Sequence, residues 1–296
     1  MSGIHPDILF VINAGAGPDE ISWQDIISNY FTEKELQIEY YILDKSPDFN
    51  ALNDHIKNCG AKKIVAVGGD GTVTLVARLI AGTDKALGIL PAGSANGMAK
   101  ELNIPEDAKA ALSIIENGII SPCDAIKING KDICLHLSDI GLNAQLIKYF
   151  DEGKLRGKWG YAKVILKTLL RSKKMKLSIS SKGKEIITEA FMVVLANASK
   201  YGTGAVINPE GVIDDGEFEV VVVRKLSFKE LLKMLYKPGK FDSDKIEVFH
   251  ATAIKIKTRK KVHFQIDGEY MGKIKAIEAD ILRHYIDVIL PVKDIS

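Results

Sequence analysis

An apolar run that ends in Val67-Gly68-Gly69-Asp70-Gly71-Thr72 sets three glycines and an unpaired carboxylate where a buried strand meets its loop. Gly68, Gly69 and Gly71 remove side chains where a backbone must approach something closely or adopt a positive φ. Thr72 then opens a helical pattern whose first N–H groups favour an anion. Asp70 repels a phosphate in direct contact, but suits one if Mg²⁺ lies between them, directly or through water. A tight strand–helix turn capped by Asp70 accounts for this stretch equally well. Two neighbours shift the balance. Asn13-Ala14-Gly15-Ala16-Gly17 ends the first apolar run, and Leu90-Pro91-Ala92-Gly93-Ser94-Ala95-Asn96 follows the fourth. Three loops of small residues at corresponding strand ends point to a nucleotide site, because ligands of parallel sheets sit outside the carboxyl ends of the strands. None of the three follows GxxxxGK[ST] or GxGxxG, so the phosphates would be held differently from those of P-loop enzymes.

The elements that must carry these loops alternate. Ile8 to Ile12, Ile38 to Leu43, Lys63 to Val67 and Ala86 to Leu90 read as strands without polar alternation. Between and after them, helices are predicted within Asp19 to Glu35, Phe49 to Lys57, Thr72 to Ala81, Ser94 to Leu102 and Glu106 to Glu116. This is the pattern of a doubly wound parallel sheet covered on both faces. After about Ser121 the pattern changes. Asn129-Gly130 and Lys182-Gly183 are hairpin signals, and β-rich runs recur to Ile266. The fold class expected is α/β followed by β, with a mainly antiparallel second domain.

Bulk composition narrows the classes. The chain has 296 residues, 46% hydrophobic and 26% charged, with a net charge of +2, so two globular domains are expected and no nucleic-acid-binding polyelectrolyte. Cys59, Cys123 and Cys134 form no CxxC pair, and read as buried thiols of a reducing compartment. The first residues show no signal-peptide pattern and no apolar run is long enough to span a bilayer, so a cytoplasmic protein with at most peripheral membrane contact is expected. From Lys154 to Lys176 nine Lys/Arg and no acid are interleaved with Trp159, Tyr161, Ile165 and Leu169. That is the pattern of a basic amphipathic element on an anionic membrane, although a solvated face over a core stripe is the commoner origin of such a pattern. The six histidines show no metal spacing and read as structural.

Val67-Gly-Gly-Asp-Gly-Thr72, Leu87-Gly-Ile-Leu-Pro-Ala-Gly-Ser-Ala-Asn96 and Ile104-Pro105 together resemble the diacylglycerol kinase catalytic-domain family, which includes soluble bacterial lipid kinases and sphingosine kinases. Asp124, Asn208-Pro to Asp214-Asp-Gly216 and Gln265-Ile-Asp-Gly-Glu269 fall in the family's order and spacing, so the resemblance runs nearly the whole chain. It implies an N-terminal nucleotide domain like that of NAD kinases and phosphofructokinases, here 1–125, rejoined by 285–296, and a β-sandwich substrate domain over 126–284. It also implies ATP and Mg²⁺ as cofactors. ATP would be surrounded by Asn13, Ala14, Gly15, Ala16, Gly17, Gly68, Gly69, Asp70, Gly71, Thr72, Val73, Thr74, Ser94 and Asn96. By the same resemblance Asp267 is the general base toward the acceptor hydroxyl, with Glu269 assisting. Read without the resemblance, Ile266 to Glu269 is an ordinary Asp-Gly hairpin turn. Asp215, with carbonyls of Val212 and Glu217, matches a structural Mg²⁺ position, which a surface Asp-Asp-Gly turn explains equally well. Asp70 and Asp124 would join a water-linked network around the catalytic Mg²⁺.

The chain also departs from the family. Thr74 and Leu75 stand where Asn-Glu is usual, and Gly97 where Asp is usual, so two acids near the phosphates and metal are absent. The reading that follows is an ATP- and Mg²⁺-dependent kinase acting on a hydroxyl of diacylglycerol or a related lipid. Its partners would be an anionic membrane surface and a second copy of the chain in a homodimer. An NAD kinase-like enzyme with a soluble substrate, and a non-catalytic nucleotide- or lipid-binding regulator, are the alternatives.

Overall fold

The computed structural model describes residues 5–15, 22–44, 47–151, 173–197, 213–225, 242 and 244–292. Ala16, Gly17, Val212 and all of the basic segment before Lys173 lie outside them. The chain divides into two compact units, Met1–Cys123 with His284–Ser296, and Asp124–Arg283.

The first unit runs β1 (Ile8–Asn13), α1 (Trp23–Phe31), β2 (Ile38–Leu43), α2 (Phe49–Asn58), β3 (Lys63–Gly68), α3 (Asp70–Ile80), β4 (Ala86–Pro91), α4 (Gly97–Glu101) and α5 (Ala108–Asn117). Its strands pair in parallel in the order β2-β1-β3-β4, and the chain's last strand adds a fifth, pairing Asp287 and Val288 with Ala86 and Leu87. Continuous apolar runs suit strands covered on both faces. Leu9, Phe10, Val65 and Leu87 are wholly buried, as are Ile27, Leu52, Val76 and Leu112 from the helices. Each such side chain contributes roughly 1.5–3 kcal/mol by leaving water. The order reverses between β1 and β3, and a parallel sheet opens a crevice at such a point. The strand ends at that crevice are Asn13 and Gly68, the starts of two of the glycine-rich loops.

Helix ends are tied locally. Ser22, Asp48 and Asp107 each accept first-turn N–H groups of α1, α2 and α5 through their side chains, as N-caps do. Lys63 Nζ donates to the carbonyls of Ile115 and Glu116, at 2.8 Å each, and so satisfies the C-terminus of α5. Two predicted starts move. The helix expected from Ser94 begins at Gly97, because Asn96 takes a left-handed φ of 51° and closes a loop on Gly93. The helix expected from Thr72 already begins at Asp70.

The second unit carries the end of β5 (Ile119–Ile128), then β6 (Asp132–Cys134), β7 (Leu137–Gly141), α6 (Leu142–Asp151), β8 (Met175–Ser181), β9 (Lys184–Ala190), β10 (Met192–Ala196), β11 (Phe218–Val223), β12 (Ile246–Ala251), β13 (Ala253–Ile266) and the start of β14 (Glu269–Leu290). The pairings β12-β11-β10-β7-β13-β14 and β13-β8-β9 are antiparallel. Strand β13 belongs to both arms: Lys255 to Thr258 pair with β8, and Phe264 to Ile266 with β7, across a register shift between Lys257 and Val262. Phe218, Val220 and Val222 face the main core with Ile140, Val193, Phe264 and Ile266, while Val221 and Val223 face a smaller cluster with Leu137 and Val194. Asn129-Gly130, Lys182-Gly183 and Asp267-Gly268 all have positive φ at both positions, which matches the twist of a tight hairpin. Among the described residues no helix is long and apolar enough to cross a membrane.

The return of the C-terminal strand is close enough to test. A Cβ on Gly118 would lie 2.5 Å from both the Ile114 and the Leu290 carbonyl oxygens. Gly118→Ala should destabilise the protein by about 1–3 kcal/mol through overpacking against backbone. Thermal denaturation would check this, and an unchanged midpoint would contradict the packing argument.

Candidate active site

In the first unit the three loops are bound to one another. Asn13 Nδ2 donates to Thr72 Oγ1 at 3.3 Å, and Asn13 Oδ1 accepts from Gly15 N at 3.1 Å. Ala92 N donates to Gly68 O at 2.9 Å. A Cβ on Gly93 would stand 2.5 Å from Gly69 Cα, and one on Gly68 would stand 2.4 Å from Thr72 Oγ1. Gly68, Gly69 and Gly71 take no positive φ. Of the two roles open to them, close approach is the one shown, at Gly68 and Gly69.

Asp70 is not the unpaired carboxylate that the sequence suggested. Its Oδ2 accepts from Gly97 N and its Oδ1 from Met98 N, each at 3.0 Å. A carboxylate on the first N–H groups of a helix makes charge-assisted bonds, and here they bring the third loop onto the second. Gly97, where a further acid was expected, is buried and serves through its N–H. The N-cap of α3 is Gly69, which brings no side-chain acceptor to that helix's first turn. Val73 points into the core, Thr74 is half-buried, and Ala14, Gly15 and Ser94 are exposed.

In the second unit Asp267 sits at the tip of the β13–β14 hairpin, with φ 47° followed by Gly268 at 86°. The hairpin turn and the specialised carboxylate are thus one structure. Its Oδ2 accepts from Leu135 N at 2.9 Å, and its Oδ1 from His136 N at 3.0 Å, Leu137 N at 3.1 Å and Cys134 Sγ at 3.3 Å. Asp267 N in turn donates to Leu137 O at 2.8 Å. Burial, then the adjacent Asp267 carboxylate, pushes the Cys134 thiol well up, so it remains a neutral donor. Glu269 is exposed beside the turn.

Asp124 is wholly buried, and its carboxylate accepts from Gly216 N at 2.8 Å while its own N–H donates to Ile213 O at 2.8 Å. The structure therefore ties Asp124 to the Asp214-Asp215-Gly216 turn and Asp70 to α4. Asp215 is exposed, with Oδ1 accepting from Glu217 N at 2.9 Å. The Glu217 side chain lies 3.6 Å from Lys182 Nζ and 3.7 Å from His250 Nδ1. Among the described residues no three His, Cys, Asp or Glu side chains cluster as a metal site. The described part of the expected structural Mg²⁺ set, the exposed Asp215 carboxylate and the Glu217 carbonyl, offers oxygen donors of the kind that fit a magnesium ion keeping much of its hydration.

Sequence reasoning missed the polar group behind Asp267. Ser138, Asp139 and Gln265 are buried where β7 pairs with β13. Burial raises the Asp139 carboxyl to about 6, against the opposing bonds from Asn143, Gln265 and Ala144 N. The available signal was weak: a Ser-Asp pair and a glutamine inside otherwise apolar runs. Cys59, Cys123 and Cys134 are buried free thiols, as expected.

A parallel α/β unit with three joined glycine-rich loops, followed by a β-sandwich unit presenting a clasped carboxylate, is the architecture of a two-domain phosphotransferase. Residues 7–128 match the diacylglycerol kinase catalytic domain, and residues 138–289 the YegS C-terminal NAD kinase beta sandwich-like domain. A diacylglycerol kinase of Bacillus subtilis (strain 168) is 27% identical over 239 residues, covering 77% of each chain. The crystal structure of a diacylglycerol kinase from Bacillus anthracis str. Sterne aligns with a TM-score of 0.75 at 17% identity, over 97% of each chain. An NAD kinase from Archaeoglobus fulgidus, in complex with ATP, aligns with a TM-score of 0.55 at 12% identity, over 97% of this chain and 94% of that one. This chain belongs to the diacylglycerol kinase catalytic-domain family. It is a kinase whose acceptor is an alcohol group.

The clasp by Asp70 has a measurable consequence. Asp70→Ala leaves two N–H groups of α4 without their acceptor and should destabilise the protein by about 0.5–2 kcal/mol, with Asp70→Asn losing less because one acceptor remains. Chemical denaturation of the three proteins would check the order. Equal stability of Asp70→Ala and parent would show that the clasp contributes nothing.

Proposed function

We propose that this protein transfers the γ-phosphoryl group of ATP, with Mg²⁺, to the hydroxyl of a diacylglycerol or a closely related lipid. The observation that carries the reading is the Asp267 carboxylate, held at a hairpin tip by three successive backbone N–H groups. The loops at Asn13 to Gly15, Gly68 to Thr74 and Gly93 to Asn96 would bind the nucleotide. Their small residues admit the phosphates to backbone contact, and the start of α3 would offer N–H groups to them. Mg²⁺ bound with the phosphates would neutralise their charge, and Asp70 would hold it directly or through water. Asp267 would accept the hydrogen bond of the acceptor hydroxyl and take its proton. A loose transition state asks little basicity of such a group and much orientation, which its backbone clasp supplies. Glu269 would assist from the exposed side of the turn, and Asp215 with the carbonyls of Val212 and Glu217 would hold a structural Mg²⁺.

The lipid acceptor is supported by the relatives named diacylglycerol kinase. It is also supported by exposed cations at Lys257, Arg259, Lys260, Lys261, Lys273 and Lys275 on the two strands that lead to the Asp267 turn. These suit an enzyme of the cytoplasm that docks peripherally on anionic lipid, with the basic segment before Met175 acting in the same sense.

Asp267→Asn should lower phosphate transfer from labelled ATP into dioleoylglycerol by ~10²–10⁴-fold, the usual range for a general base, with nucleotide affinity nearly unchanged. Transfer at the parental rate would remove the assignment. Offering an extracted lipid mixture and identifying the labelled product tests the acceptor class; label in a water-soluble product alone would favour a soluble substrate.

Sedimentation with vesicles checks the surface. Binding to phosphatidylglycerol vesicles should exceed binding to phosphatidylcholine vesicles and weaken with salt, since each surface cation contributes roughly 1 kcal/mol near anionic lipid. Equal binding to both at low salt would contradict an electrostatic docking.

A further inference from the structure

The hydrogen bonds that join α6, β7, β13 and the Asp267 turn form a connected path. Ala144 N, in the first turn of α6, donates to Asp139 Oδ1 at 2.9 Å, and Asn143 Nδ2 donates to Asp139 Oδ2 at 2.6 Å. Gln265 Nε2 donates to the same Oδ2 at 2.5 Å. At the other end of that amide, Gln265 Oε1 accepts from Gly268 N at 2.8 Å. Ser138 Oγ donates to Gln265 O at 2.7 Å and fixes the backbone of the same residue. Gly268 immediately follows Asp267 in the turn.

The direction of this path is set by chemistry. An ionised carboxylate only accepts, so Gln265 must present its NH₂ group to Asp139. Its carbonyl oxygen is then aimed at Gly268 N–H, the one orientation in which both ends of the amide are bonded. Asp139 is 1% exposed and Gln265 wholly buried. Val194 lies opposite Asp139 on β10. An apolar pair would fill this place without the desolvation of a buried carboxylate, so packing alone gives no reason for these residue types.

We propose that Asp139 and Gln265 are positioning residues for the phosphoryl-transfer step: the buried carboxylate orients the glutamine amide, and the amide latches Gly268 so that the turn presents Asp267 to the acceptor hydroxyl. This rests on the reading of Asp267 as the base. The two clasps act from opposite sides of the turn. Leu135 to Leu137 hold the carboxylate itself, whereas Gln265 holds the peptide that follows it. Without the latch the turn keeps its residues but loses one fixed point, and a small misplacement of a reacting group can lower a rate by about 10²-fold.

Gln265→Met keeps the length of the side chain and removes both of its bonds. Asp139→Asn keeps the shape and the Ala144 bond while turning an NH₂ group toward Asn143 and Gln265. Steady-state transfer from ATP to dioleoylglycerol in phosphatidylglycerol vesicles would be measured for both, and for Asp267→Asn alone and combined with Gln265→Met. Each single latch variant should lose about 10–100-fold in kcat, as outer partners of a reacting group commonly do, with KM for ATP unchanged. Amide exchange in the 266–270 peptide should be faster in both. Gln265→Met should add nothing to the loss caused by Asp267→Asn, because groups that act as one unit are not additive. Either latch variant, folded and turning over at the parental kcat, would overturn the proposal. So would a Gln265→Met loss that appears in full on top of Asp267→Asn. If Asp267→Asn itself turns over normally, the base assignment falls and takes the latch with it; failure of the latch alone leaves Asp267→Asn inactive.

Discussion

A backbone N–H taken out of water must find an acceptor, and at the loops of this protein that acceptor is repeatedly an aspartate carboxylate. Asp70 takes two N–H groups at α4, Asp267 takes three from the segment entering β7, Asp139 takes one at α6, and Asp124 takes Gly216 N. Each bond is charge-assisted and so among the stronger polar contacts available to a loop. The consequence reaches function directly. The same carboxylates that a phosphotransferase would need are fixed in direction by the main chain, and their chemistry inherits the rigidity of the strands and helices beside them.

The first unit depends on a second constraint, the width of a glycine. Gly69 and Gly93 bring two loops into backbone contact, and a single Cβ at Gly93 would stand 2.5 Å from Gly69 Cα, closer than van der Waals contact allows. The parallel pairing of β3 with β4 decides where this contact occurs, since the two loops leave neighbouring strand ends on the same edge. Sheet topology chooses the place and glycine makes it accessible to a ligand. Family membership and alcohol phosphorylation agree with that arrangement without being needed to explain it.

The second unit spends part of its interior on polar groups. Its main core is apolar from Ile126 to Ala279, yet Ser138, Asp139 and Gln265 are buried on strands that also contribute Ile140, Phe264 and Ile266 to that core. Burial pushes the Asp139 carboxyl up to about 6. The energetic direction is unfavourable for an ionised group. Its three hydrogen bonds offset that burden, and they order α6, β7 and β13 around the Asp267 hairpin.

Periodicities were legible before any fold was known: apolar runs for parallel strands, Asn-Gly, Lys-Gly and Asp-Gly for hairpins, and glycine-rich loops after the first, third and fourth strands. Those are local properties, set by φ/ψ preference and by which faces must leave water, so they are legible without a fold. The family motifs were legible for the same reason, being contiguous. The contacts of the carboxylates became visible in the folded chain alone. Asp70 read as unpaired because its partners, Gly97 N and Met98 N, are backbone groups that no sequence pattern marks. The three glycines read equally as positive-φ residues or as sites of close approach; their φ values exclude the first, and the nearness of Thr72 to Gly68 and of Gly93 to Gly69 shows the second at two of them. The start of α4 moved to Gly97 because an asparagine side chain closed the loop before it. Asp139 and Gln265, 126 residues apart, became partners through the register of β7 on β13. A hydrogen bond across such a separation depends on strand pairing, and strand pairing is settled by the burial of both strands at once rather than by any one stretch of chain.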